Sequence, residues 1–211
     1  MSARIIIIRH GETDWNREER IQGQKDLPLN AAGREQARRL GLRMRREPVA
    51  AVCTSDLARA AETARIAFEG SGLAIRPDRD LRERGYGAWE GLTWPEIQAK
   101  FPDARRGRNH APPGGEEWSA MQARFIAAID RIAREHDGTT VAVVTHGGPC
   151  KAILLDLFAQ PPDRRFLFET SNASLSIWEV GGARRRLHLY NSTEHLEGEA
   201  APRREEGAYE L

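Results

Sequence analysis

Three short runs along the chain carry apolar residues without a polar break. They read RIIIIR at 4–9, VAAVC at 49–53 and TTVAVVT at 139–145. Alternation would mark a sheet with one wet face. Unbroken β-branched runs of this length instead predict strands covered on both faces, as in a parallel sheet. Between them the period changes. Residues 29–47 place Ala37, Leu40 and Met44 at helical spacing, and Pro48 closes the segment. SDLARAAETARIAF, from Ser55, predicts a helix opened by a Ser-Asp capping pair.

The segment EEWSAMQARFIAAIDRIAREH, at 116–136, is the clearest amphipathic helix. Trp118, Met121, Phe125, Ile129 and Ile132 fall three to four residues apart, and Asp137 and Gly138 end it. After the third run, Pro149 suits a helix first turn and CKAILLDLFAQ continues it. ASLSIWEV and RRRLHLYN flank Gly181 and Gly182, a two-residue hairpin signal. Strands alternating with helices predict an α/β fold, a mainly parallel sheet layered between helices. The expected organisation is a single domain over 1–195. A Gly-, Pro- and Trp-rich excursion at about 86–115 would cross the sheet edge, and 196–211 would form a polar tail.

Composition narrows the function. The formal net charge of the 211 residues is +1, so no general attraction to nucleic acid or to an anionic membrane is expected. Two cysteines, Cys53 and Cys150, are too few for a disulfide framework and read as buried thiols. No Cys–His cluster has zinc spacing, which predicts no metal. No apolar run approaches the roughly 20 residues of a membrane-spanning helix. With no secretory leader pattern in MSARIIIIRH, the expected location is cytoplasmic.

The chemistry collects where the three runs stop. The first ends in Arg9, His10 and Gly11; the second in Thr54, Ser55 and Asp56, with Arg59 a turn later; the third in Thr145, His146, Gly147 and Gly148. Ligands of open α/β sheets bind outside the carboxyl ends of strands. Two histidines and two arginines are therefore expected in one crevice. An arginine fork fits phosphate oxygens, and backbone N–H groups after Gly11 could join it. An imidazole lone pair can act as the nucleophile. Gly11 would allow a sharp turn and a close ligand. Taken singly, each residue has a plainer reading: a hydrogen-bonded structural histidine, a surface arginine, and for Glu83 a salt bridge to Arg82 or Arg84.

RHGETDWN at 9–16 resembles the signature of the histidine phosphatase superfamily, branch 1, the phosphoglycerate-mutase-like group. RIQGQKDLPLNAAGREQA at 20–37, TSDLARAAETA at 54–64, LRERGYGAWEG at 81–91 and VVTHGG at 143–148 resemble its further motifs, in order, over roughly residues 4–195. The resemblance implies a three-layer α/β/α sandwich and a metal-independent phosphoryl transfer with no cofactor. His10 would become a phosphohistidine, Arg9, Arg59 and His146 would hold the phosphoryl oxygens, and Glu83 would be the general acid and then base. Asn16, Gln22, Gly23, Gly147, Arg84 and Tyr86 would bind the substrate, the last two falling on a mutase-like ERGYG pattern. Relatives of this kind also suggest a homodimer.

Hydrolase and mutase members share these motifs. QGQKDLPL resembles the phosphatase form of its segment, and PPGGEEW at 112–118 resembles a phosphatase PPGGES motif with Glu117 in place of serine. The short excursion before Pro112 fits water entry better than the closed cover a mutase needs. A phosphomonoesterase for small phosphorylated metabolites is the expectation, with a phosphoglycerate mutase as alternative. A non-catalytic phosphate-binding protein would lack His10 or Glu83. Tyr86, Trp89, Trp94 and the basic run Arg105, Arg106 and Arg108 could shape the leaving-group side or simply pack a lid and solvate a loop.

Overall fold

Strand β1 (Ala3–Arg9) is the centre of a six-stranded sheet in the order β3-β2-β4-β1-β5-β6. The computed structural model describes residues 2–104, 110–158, 168–182 and 184–197. Around β1 stand β2 (Val49–Thr54), β3 (Ile75–Pro77), β4 (Thr140–Thr145), β5 (Leu175–Gly181) and β6 (Arg184–Ser192). β1 runs parallel to β4, as do β2 to β4 and β2 to β3, whereas β5 and β6 are antiparallel. The parallel set brings the carboxyl ends of β2, β4 and β1 side by side on one edge.

The four isoleucines of β1 are 0–1% exposed because alternate ones face opposite layers. Ile5 and Ile7 pack with Val141, Val143 and the apolar stripe of α5 (Trp118–Glu135) and α6 (Gly147–Leu157). Ile6 and Ile8 pack with Val52, Val144 and residues of α2 (Ala31–Met44) and α3 (Ala58–Ala67). The result is the expected three-layer α/β/α sandwich. Removing such a side chain to alanine costs about 2–5 kcal/mol, so β1 is a stiff mount for the residues at its carboxyl end.

Several details differ from expectation. The Ser-Asp pair does not cap α3: its cap residue is Leu57, and the Ala58 N–H donates instead to Asp26 Oδ1 at 2.6 Å. Asp56 is drawn away by Arg82, which donates to both its oxygens at 2.6 Å. β2 is fully covered only over Val52–Thr54, since β3 on its outer side is a three-residue edge. The hairpin turn lies one residue later than expected, because Gly181 pairs with Arg184 and Gly182 turns with φ +56°. The excursion contains its own short helix, α4 (Trp94–Lys100), opened by a Thr93–Glu96 capping box. With Trp89 and Ile97 it forms a small separate apolar cluster. The Arg105–Arg108 run and the tail beyond Glu197 lie outside the described residues. Among the described residues, no helix is long and apolar enough to cross a membrane.

Candidate active site

His10 stands at the end of β1, its N–H bonded to Thr145 O of β4 at 2.9 Å. It is 3% exposed. Its Nδ1 lies 2.7 Å from Gly11 O. A carbonyl only accepts, so this contact places the ring proton on Nδ1 and the lone pair on Nε2. Arg59, in the first turn of α3, donates from Nε to that Nε2 at 3.3 Å. The same guanidinium donates from Nη1 to Lys25 O at 2.8 Å and from Nη2 to Gly23 O at 2.7 Å. One wholly buried arginine thus ties the imidazole to the loop of Gln22 and Gly23. Burial brings the Arg59 pKa down to about 10, with Glu83 and Asp26 opposing, so it stays a cation at neutral pH.

His146 ends β4 and caps α6, its ring 5.1 Å from that of His10. Its Nε2 lies 2.8 Å from Ser55 Oγ, while its buried Nδ1 has no protein partner. Ser55 Oγ already accepts from Leu57 N–H at 3.3 Å. Its hydroxyl proton can therefore go to Nε2, leaving Nδ1–H as a free donor. Burial first, then the positive charge of Arg59, holds both imidazoles well below the usual histidine pKa; Arg9 adds to this in each case. Both rings are neutral at pH 7. Arg9 donates to Thr170 O beside them. A Cβ on Gly147 would crowd Thr170 Oγ1 at 3.3 Å and touch the Arg9 guanidinium carbon at an ordinary 3.7 Å.

Glu83 reaches the site from outside the sheet. Thr145 Oγ1 anchors the segment by donating to Leu81 O at 2.7 Å. Arg124 of α5 clamps it further, donating to Arg82 O and Glu83 O at 2.8 Å. The carboxylate accepts Gly148 N–H at 3.0 Å and Arg84 N–H at 2.8 Å. Neither adjacent arginine pairs with it. Arg82 holds Asp56, and Arg84 donates to Glu116 O at 2.8 Å and His110 O at 2.9 Å.

Arg84 is thus a brace between 81–86 and the PPGGEEW segment, lying over Tyr86 at 5.3 Å. Glu116 completes this join: its N–H donates to Gly85 O at 2.8 Å and its carboxylate takes Gly85 N–H at 3.1 Å. Burial pushes the Tyr86 phenol up, so it remains protonated.

The N–H groups after Gly11 do not form the expected anion cradle, because each is taken. Gly11 N–H donates to Thr63 Oγ1 at 3.0 Å, Glu12 N–H to Gln36 Oε1 at 2.8 Å, and Thr13 N–H to Asn16 Oδ1 at 3.1 Å. Gly11 itself is small for another reason: a Cβ would meet Gly33 O of α2 at 2.5 Å. Asn16 caps the short α1 (Asp14–Arg17) with its Oδ1, which Asn172 Nδ2 also contacts at 3.2 Å. Gln22 Oε1 is buried without a protein partner. Sequence reading did not single out Arg124, Thr63, Asn172 or the part Ser55 plays. Only Ser55 left a signal, as a polar residue at a strand end. Among the described residues, no cluster of three or more His, Cys, Asp or Glu side chains could hold a metal ion.

Two uncharged imidazoles and two guanidinium groups at adjoining strand ends, with a carboxylate held nearby, define an enzyme that handles phosphoryl groups on an α/β/α sandwich. The sequence model of the histidine phosphatase superfamily (branch 1) matches residues 5–193, and the chain belongs to that family. It is a phosphoric monoester hydrolase. It is 36% identical to phosphoglycerate mutase-like protein 4 of Arabidopsis thaliana, over 92% of this chain and 87% of that protein. It is 35% identical to the metal-independent phosphoserine phosphatase of Arabidopsis thaliana, over 91% of this chain and 82% of that one. The solved structure of Bacillus stearothermophilus YhfR superposes with a TM-score of 0.87 at 36% identity, covering 92% of this chain and all of that one.

Proposed function

We propose that the protein hydrolyses phosphomonoesters of small metabolites, without a metal, through a phosphohistidine on His10. The observation that carries this is the His10 ring itself, with Nδ1 turned to Gly11 O and a neutral Nε2 beside Arg59. In the first step Nε2 attacks phosphorus in line, and the bond to the ester oxygen breaks. Glu83 gives that oxygen a proton as the alcohol leaves. In the second step Glu83, now a carboxylate, takes a proton from water. The water oxygen bonds phosphorus, and the P–N bond returns its pair to Nε2. Arg9, Arg59 and the Nδ1–H of His146 hold the three non-bridging oxygens, which carry charge throughout.

Asn16 offers its Nδ2, and Gln22 its amide, where rotation by half a turn puts a donor at the orphan position. Gly23, at φ +53°, lets the Glu90 carboxylate lie against its backbone, and Gly147 lies beside Arg9. Arg84 and Tyr86 shape the cover. The mutase alternative rests on Arg84 and Tyr86, which here brace residues 81–86 against the PPGGEEW segment. The similarity to a metal-independent phosphoserine phosphatase supports metal-free chemistry.

The test is rapid quenching with a phosphorus-labelled ester. Wild type should carry an alkali-stable, acid-labile label, and His10→Ala should carry none while keeping its circular dichroism spectrum. Label on the His10→Ala protein would overturn the assignment.

A further inference from the structure

Residues 169–174 form a strap across the end of β1. Arg9 N–H donates to Ser174 O at 3.0 Å, the Arg9 guanidinium to Thr170 O, and Ala173 N–H to His10 O at 3.1 Å. The strap is itself pinned from the C-terminal side. The Tyr190 hydroxyl donates to Glu169 O at 2.6 Å, Ser171 N–H to Asn191 Oδ1 at 2.7 Å, and His195 Nε2 to Ala173 O at 3.0 Å. Ala173 and Asn191 both lie in the left-handed region, at φ +55° and +50°. Residues other than glycine keep such angles where the surroundings over-determine them. Whatever side chain the strap presents to the site is therefore held firmly.

That side chain is Asn172. Its Nδ2 lies 3.2 Å from His10 O and 3.2 Å from Asn16 Oδ1. A carbonyl only accepts, so the amide nitrogen of Asn172, not its oxygen, faces His10. Asn16 has as little choice. Its Oδ1 takes the Thr13 N–H at 3.1 Å and the Thr13 hydroxyl at 3.0 Å. A backbone N–H only donates, so the amide oxygen of Asn16 stays on that side and its Nδ2 points away from it. The two protons on one nitrogen thus join the nucleophile's own carbonyl to the amide that the proposed mechanism turns toward phosphate. We propose that Asn172 is a positioning residue of the phosphoryl pocket: it fixes the Asn16 amide, Nδ2 toward the transferred group, at a set distance from His10. A misplacement of about 1 Å can cost about a hundredfold in rate. The inference rests on Asn16 as a ligand of the phosphoryl group, part of the function proposed above.

The experiment is a double-mutant cycle read by the inhibition constants of vanadate and inorganic phosphate. It uses wild type, Asn16→Ala, Asn172→Ala and the double variant. In Asn172→Ala the His10 carbonyl keeps the Ala173 N–H, so the strand end retains a donor. Asn16→Ala should weaken both inhibitors about tenfold, the scale of one hydrogen bond to a charged group. Asn172→Ala should weaken them nearly as much. In the Asn16→Ala background, removing Asn172 should cost less than about twofold, because the residue through which it acts is gone. A side chain that only supports the fold would cost the same factor in both backgrounds, and that result would overturn the proposal. Asn172→Asp keeps the shape but sets carboxylate oxygens against two oxygens. It should bind vanadate no better than Asn172→Ala; wild-type affinity in it would overturn the proposal too. Unchanged constants in Asn16→Ala would remove Asn16 from the pocket and take the proposal with it. A weakened Asn16→Ala beside an unaffected Asn172→Ala would sink Asn172 alone.

Discussion

The guanidinium of Arg59 donates to His10 Nε2 at 3.3 Å while its other arms hold Gly23 O and Lys25 O at 2.7 and 2.8 Å. One side chain therefore fixes a ring and a pocket loop together. A lysine is a single point charge and cannot span three acceptors. Arg59→Lys should lose about a hundredfold or more in kcat/KM, the scale of an oxyanion donor. It should also unfold about 2–4 kcal/mol more easily, since two carbonyls lose charged donors. Steady-state kinetics paired with urea titration checks both; a stable, active variant would detach Arg59 from the site.

Gly148 offers a cleaner separation of activity from stability. A Cβ there would overlap Glu83 Oε1, yet alanine is a better helix former than glycine by up to about 1 kcal/mol. Gly148→Ala should keep or raise the melting temperature while lowering kcat. The loss should be larger for alkyl phosphates, whose leaving oxygen needs a proton, than for p-nitrophenyl phosphate. Equal losses would argue that Glu83 does not protonate the leaving group.

The two imidazoles set a pH dependence. Their folded pKa values are lowered, whereas the unfolded chain takes up protons near the ordinary value of 6.5. As pH falls through 6.5 the unfolded state gains protons that the native state refuses. Stability is thus fully present above about pH 6.5 and falls below it, by up to about 1.4 kcal/mol per unit for each ring, until the folded pKa is reached. Urea midpoints of wild type and of His146→Gln between pH 5 and 8 should show a shallower acid decline in the variant. Identical slopes would mean that His146 already titrates normally.

Ser55→Ala removes the hydroxyl at 2.8 Å from His146 Nε2. With Nε2 free to take the proton, the tautomer carrying Nδ1–H is no longer enforced. Vanadate and phosphate should bind about tenfold more weakly, on the scale of one hydrogen bond to a charged group. Unaltered inhibition constants would remove Ser55 from this role.

EDTA should leave turnover intact, because arginines supply the positive charge that magnesium supplies elsewhere in phosphoryl transfer. Activity that vanishes on chelation and returns with magnesium would count against the whole scheme.

How far the sequence reached depended on the range of the forces involved. β1, β2 and β4 were legible because burial on both faces writes an unbroken apolar run, and their ends named His10, Arg59 and His146. β3 was missed: Ile75–Pro77 is an edge with an exposed arginine and carries no run to read. α4 was missed although its capping box was present, since Trp94 and Pro95 sit in a stretch that reads as loop. The capping of α3 was misread because the acceptor, Asp26, comes from 32 residues away. Arg124 looks like any exposed helix arginine until the chain folds around three carbonyls, those of Asp80, Arg82 and Glu83.

The pairing of His10 N–H with Thr145 O, buried where β1 and β4 end side by side, has a consequence for how the enzyme fails. A bond buried between the two central strands opens less readily than loop and edge amides, which exchange with solvent through small local openings. The proton on that amide should be among the slowest in the molecule to be replaced by deuterium. On heating, loss of the nucleophile and loss of the fold become one event, and the surviving molecules at any temperature keep an undamaged site.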